Sequence, residues 1–256
     1  MSTTRRYAAL LLCAAFAAFE GAALAAPALS VKTHAIEATV EIDPALDRFK
    51  PLKNHLLAQA ERDVGAQRRE AEETKRAEPR SFRRRWTFER RYTFISEAGP
   101  FVSVRRIETT YTGGAHPNTV IATIIWDNKS GGAVGLDAFL NDVSDGGPTL
   151  TALAGLVRDS LAVEKRKRGV DVAENAAQDE WLRAVEPKLD TLGAPALTRS
   201  AAESKASGLS FYFSPYDVGP YVEGAYTAFV SGAALKPYLK ADKAALFDGA
   251  PAAAGE

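Results

Sequence analysis

The sequence predicts an α+β fold, an antiparallel-rich sheet with helices packed on one side, and three observations carry that reading. Apolar residues recur at spacings of three and four in two separate stretches, Leu46 to Val64 and Leu150 to Leu161. Apolar and polar residues alternate from Trp86 onward and again between Gly208 and Ser231. Clusters of Gly, Pro and Asn separate consecutive strand-like runs, so most neighbouring strands are joined by tight reversals.

The first 25 residues differ from the rest. Arg5 and Arg6 precede an apolar run from Tyr7 to Phe19, and the stretch closes on Ala23-Leu24-Ala25. These are the three regions of a secretory signal peptide. Cleavage after Ala25 is expected, because cleavage after Ala26 would leave Pro27 first. The run is too short to span a bilayer and no later stretch is longer, so no transmembrane segment is expected in the mature chain. The expected localisation is periplasmic or secreted. The sole cysteine, Cys13, lies inside this leader, and Leu12 stands where a lipoprotein box needs a small residue. The mature chain is therefore expected to fold without disulfides, and cysteine nucleophiles and cysteine-ligated zinc are excluded.

Lys plus Arg and Asp plus Glu balance at 32 each, so no net field draws the protein to nucleic acid or an anionic membrane. Partners must be argued from local sites, and nucleic acid is not expected among them.

Along the mature chain, "VKTHAIEATVEID" (31–43) reads as a strand. Leu46, Phe49, Leu52, Leu56, Ala60 and Val64 mark an amphipathic helix, continued by a charged extension that Pro79 ends. Trp86, Phe88, Tyr92 and Phe94 share one face of the next strand, with Arg90 interrupting. "EAGP" (97–100) turns the chain into strand 101–111, GGAHPN connects that to strand 118–127, and "NKSGG" (128–132) turns again. Leu150, Leu153, Val157 and Leu161 form a second helical stripe; Ala173, Ala177 and Trp181 suggest a third helix before Pro187. Two aromatic-rich strands flank a Pro/Gly corner within 208–231, and 233–240 begins a short closing helix. The expected domain spans 26–240, as an N-terminal segment 26–110 and a C-terminal segment 111–240, with 241–256 a flexible tail.

His116 stands in "YTGGAHPNT", after a glycine pair and two residues before Asn118. A general base needs an orienting partner and a metal needs three converging ligands. The other histidines, His34 and His55, sit on a predicted strand and a predicted helix without ligand spacing. No catalytic residue, metal or cofactor is assigned. Gly113 and Gly114 are expected to supply positive φ or close backbone approach, with the imidazole bridging two backbone groups of the turn; contact with a ligand or protein, and catalysis, are the other readings of His116. Of the aromatics Phe211, Phe213, Tyr216, Tyr221 and Tyr226, the alternating ones read as core. Tyr216 and Tyr221 flank the Asp217-Val218-Gly219-Pro220 turn and can show their hydroxyls. His116, Asn118, Tyr216, Asp217 and Tyr221 are the candidate ligand-binding residues. Asp217 and Glu223 are the only carboxylates near the corner that suggest a glycosidase-like pair. The basic runs 80–91 and 165–168 read as solvated faces, with anionic wall polymers or lipopolysaccharide phosphate the ligands if they bind.

The stretches "VSVRRIETTYTGGAHPNT", "WDNKSGGAVGLDAFLND" and "LSFYFSPYDVGPYVEGAYTAFVS" together resemble the RsiV-like family, the extracytoplasmic domain of a lysozyme-sensing anti-sigma factor and of PdaC-type polysaccharide deacetylases. The family signature falls on Tyr111 to His116, and its Phe-x-Pro-Tyr corner on Phe213, Pro215 and Tyr216. Pro117 departs from the glycine usual there, and it stiffens the turn. Neither a sigma-binding segment nor a deacetylase domain is evident, so a stand-alone exported module is expected. The resemblance implies a noncatalytic cell-envelope domain that binds a lysozyme-like muramidase or a peptidoglycan fragment. An enzyme acting on cell-wall polysaccharide, or an accessory module without its own activity, are the alternatives.

Overall fold

A computed structural model describes residues 26–252, so the expected signal peptide lies outside the described residues. The chain opens as a hairpin, β1 (Leu29–Lys32) against β2 (Ile36–Ile42), where one continuous strand was expected. The Thr33 hydroxyl accepts from the N–H groups of Ala35 and Ile36, both at 3.1 Å, and so offers the backbone a turn in place of a ladder.

Helix α1 (Lys50–Ala77) starts later than its apolar stripe, because Asp43 caps a short 3-10 turn that contains Leu46. Pro51 occupies the first turn, Lys75 and Arg76 complement the negative end of the dipole, and the helix stops before Pro79. It serves as the crossover that lets β3 (Trp86–Ala98) pair parallel with β2. The remaining strands, β4 (Phe101–Tyr111), β5 (Asn118–Asp127) and β6 (Gly132–Val134), add antiparallel. They complete a six-stranded sheet in sequence order.

One core fills the space between this sheet and α1, with Leu52, Leu56, Phe88, Tyr92, Val104 and Trp126 at its centre. Arg90, the break in the β3 pattern, is buried in the same layer. Its guanidinium pairs with Asp63 at 2.7 Å and with Glu108, and donates to the Tyr92 hydroxyl at 3.2 Å. A register shift between Phe94 and Ser96 then turns β3 over. Because side chains alternate with a period of two, one extra residue sends Ser96 and Ala98 to the opposite face. There the Ser96 hydroxyl donates to the Leu197 carbonyl at 2.6 Å, and Ala98 joins a second core.

That second core lies between the first sheet and a three-stranded one, β7 (Ala196–Arg199), β8 (Ala206–Phe213) and β9 (Tyr226–Ser231). Helix α2 (Pro148–Lys167) closes it with Leu150, Leu153, Val157 and Leu161. The expected third helix is absent: Asp179 accepts from the N–H groups of Ala173, Trp181 and Leu182, which breaks the segment into two 3-10 turns. A single turn, α3 (Leu189–Leu192), precedes β7, and α4 (Gly232–Leu235) follows β9. Residues 241–252 are held where a frayed tail was expected. Phe247 packs on the core, Asp248 N–H donates to Ala206 and Ala201 N–H donates to Ala250. The architecture is α+β, mostly antiparallel, with helices packed beside the sheets. No helix of the described residues is long and apolar enough to cross a membrane.

Candidate functional site

Two connections far apart in sequence meet at the open end of β4, β5 and β8. The first is the β4–β5 loop, residues 112–117, which is exposed throughout. Gly113 takes φ 100°, a conformation that favours glycine, whereas Gly114 does not have positive φ. Only one of the glycine pair is therefore needed for its backbone. The second is the corner after Phe213. Ser214 N–H donates to the Asp217 carboxylate at 2.6 Å, and the Ser214 hydroxyl accepts from Ile121 N–H at 3.0 Å, which pins the corner to β5.

His116 is exposed, and its imidazole does not bridge two backbone groups. Nδ1 lies 2.8 Å from the carbonyl of the adjacent Pro117, the one hydrogen bond it makes. The ring instead stacks on Tyr221, with centroids 4.4 Å apart and planes at 27°. Tyr216 completes the group, 5.5 Å from Tyr221 and 6.5 Å from His116. These tyrosines are 51% and 38% exposed, whereas Phe211, Phe213 and Tyr226 are buried in the core. The aromatic run thus divides between core and surface at the corner. Beside the rings, Val222 is 90% exposed.

Tyr216 has φ 78°. A bulky side chain in that region is strained by about 1–3 kcal/mol and persists only where its surroundings enforce it. Asp217 is exposed and borders a cleft of about 350 Å³ that Ile121, Tyr212, Asp190 and Thr191 also line. Asn118 opens β5 on the exposed side, and its side chain makes no hydrogen bond to the rings or to Asp217.

The two carboxylates of the suggested pair are engaged separately. Asp217 caps Ser214, while a single oxygen of Glu223 receives Lys165 Nζ and the Tyr226 hydroxyl, each at 2.6 Å. Burial would raise the Glu223 pKa, but the hydrogen bonds from Lys165 and Tyr226 outweigh it and hold the group below its usual range. The Tyr226 phenol is pushed up to about 12, first by burial and then by the hydrogen bond to Glu223. A carboxylate tied in this way is poorly suited to accept a substrate proton.

The burial of Lys165 and its pairing with Glu223 were missed by sequence reasoning, although a signal existed. The stripe Leu150, Leu153, Val157, Leu161 extends four residues further to Lys165, which places a cation on the buried face of α2. Three other members of the basic runs are paired on the surface, Arg85 with Glu37, Arg91 with Glu41 and Arg168 with Glu164. His55 lies 5.1 Å from Trp126 in the other core, and among the described residues no three His, Cys, Asp or Glu side chains converge.

Residues 29–119 match the family model described as Deacetylase PdaC, a span that runs through the β4–β5 loop into the first two residues of β5. Two solved structures share the fold. A DUF3298 family protein from Pseudomonas aeruginosa is similar at 15% identity and TM-score 0.53, over 87% of this chain and 95% of that one. A DUF3298 family member from Bacteroides fragilis is similar at 14% identity and TM-score 0.52, over 84% and 93%. No curated protein matches the chain.

Proposed function

We propose that this protein is an exported, noncatalytic cell-envelope domain that binds a partner protein through the exposed cluster of His116, Tyr216 and Tyr221. The observation that carries the reading is that three aromatic rings from two distant connections meet in solvent, on a turn that holds Tyr216 at positive φ. Exposed, preorganised tyrosines beside an apolar residue are the composition of a binding hot spot, since they supply contact area at little cost in side-chain entropy. The stacking of His116 on Tyr221 covers one face of each ring and leaves edges, hydroxyls and Val222 outward, which suits a protein surface better than the flat face of a sugar. Resemblance of the surrounding motifs to the RsiV-like family supports a lysozyme-like muramidase as the partner class, and the expected signal peptide supports an encounter in the periplasm or outside the cell. The engagement of Asp217 and Glu223 within the fold supports a binding rather than a hydrolytic role.

The test is calorimetric titration of the mature protein with a purified lysozyme and, separately, with muropeptide fragments. Lysozyme should bind, and Tyr221→Ala should weaken it by about tenfold or more, ~1.4 kcal/mol, at an unchanged melting temperature because the side chain is exposed. Binding of the muropeptides alone, or loss of affinity only in step with loss of fold, would overturn the reading.

A further inference from the structure

The corner that carries Tyr216 and Tyr221 rests on an ion pair. Lys165 is 2% exposed at the C-terminal end of α2, and its ammonium sits 2.6 Å from the Glu223 carboxylate and 4.6 Å from the centre of the Tyr226 ring. Arg168, one turn on, lies 4.1 Å over the same ring and donates to the carbonyls of Glu223 and Ala225 at 3.2 and 2.9 Å. Backbone closes over the pair from the other side. A Cβ on Gly219 would fall 2.5 Å from the Glu223 carboxylate and 2.9 Å from Lys165 Nζ, so a larger residue there would have to push the paired side-chain ends aside. Tyr221 and Val222 directly precede Glu223 in the same 3-10 turn.

The geometry points to Lys165 and Glu223 as positioning residues that clamp the 215–224 corner onto α2 and hold Tyr216 and Tyr221 in register with His116. A mere salt bridge for stability explains neither the shared oxygen of Glu223 nor the glycine that seats the corner on it. Replacing a buried ion pair by neutral groups of similar size is often tolerated by the core, so a neutral double variant tests the direction of the turn apart from the stability of the fold. The strained backbone of Tyr216 needs such an outside constraint. Functional significance of the clamp rests on the binding reading above, but its geometry can be tested without any ligand.

Three histidines make that test simple. The imidazole protons of His116 lie against Tyr221, so its ring current displaces their resonances, while His55 against Trp126 reports on the other core. In Lys165→Met/Glu223→Gln, the His116 resonances should move to their values in an unstructured peptide while those of His55 stay in place. Affinity for lysozyme should fall by about tenfold or more. Arg168→Ala keeps the test decisive if the double variant does not fold, because that side chain is partly in solvent; it should move His116 in the same direction. His116 resonances that keep their wild-type positions in a folded double variant, or in Arg168→Ala, would overturn the clamp. His116 resonances that move to unstructured-peptide values in the variant, where the wild type binds no lysozyme, would keep the clamp and sink the binding reading.

Discussion

A tyrosine at positive φ in solvent is a local cost with no local return. Tyr216 contributes little buried area, since it is 51% exposed, and its φ of 78° is one that glycine adopts freely. Replacing it with glycine relieves the strain, although the more flexible unfolded chain offsets part of that gain. Tyr216→Gly is therefore expected to leave unfolding free energy unchanged or raised by up to about 1 kcal/mol, while lysozyme affinity falls. Denaturant titration and calorimetry on the same sample check both halves. A variant that loses stability by more than 1 kcal/mol would mean the ring is structural after all. His116 shows the same separation of roles, because its one hydrogen bond reaches only the next residue and its ring contacts are with the tyrosines.

Between elements, the joint of α2 and β9 is charged. Tyr226 begins β9, is buried, and donates to the carboxylate that Lys165 also holds. Its pKa is raised from 10.0 to about 12 in the folded protein. The sign follows from linkage: between those values the unfolded chain releases the phenolic proton and the folded chain retains it, so the contribution is full below pH 10 and is lost as pH rises toward about 12. The stability difference between wild type and Tyr226→Phe should thus shrink over that alkaline range, measured by denaturant melts at stepped pH. A difference that stays constant or widens there would contradict the assignment of that proton. Glu223 acts at the opposite end of the scale. Its lowered pKa gives stability that is present above the usual carboxylate range and is lost as pH falls below it.

At the scale of the whole molecule, two apolar cores share the first sheet, and buried hydroxyls join its far face to β7. Ser96 donates to the Leu197 carbonyl, and Ser103 accepts from Leu197 N–H at 2.9 Å. The stabilising layers are apolar packing and hydrogen bonds, and the only cysteine lies at position 13. The thermal midpoint of the chain from residue 26 onward should consequently be the same in reductant and in a chelator of divalent ions. A drop of several degrees on chelation would reveal a metal-dependent fold.

The sequence by itself determined the alternation that makes β3, β4, β5, β8 and β9, the apolar stripes of α1 and α2, and the α+β class, because those depend on a residue's near neighbours. It also separated Tyr216 and Tyr221 from the core aromatics, through the turn they flank. Local pattern carries no information about which distant segment lies opposite. Tertiary structure alone decided that Arg90 is neutralised by α1 and β4, that a bulge at Phe94 turns β3 toward a second core, and that β7 docks across Ser96 and Ser103. It likewise decided that Lys165, the first residue of the basic run that ends α2, is a buried support for Glu223, while Arg166, Lys167 and Arg168 stay exposed. His116 and Tyr221 are separated by more of the chain than any periodic pattern can bridge. Their contact exists because two sheets bring the ends of β4 and β8 together, and there the chemistry of the surface is set by packing beneath it.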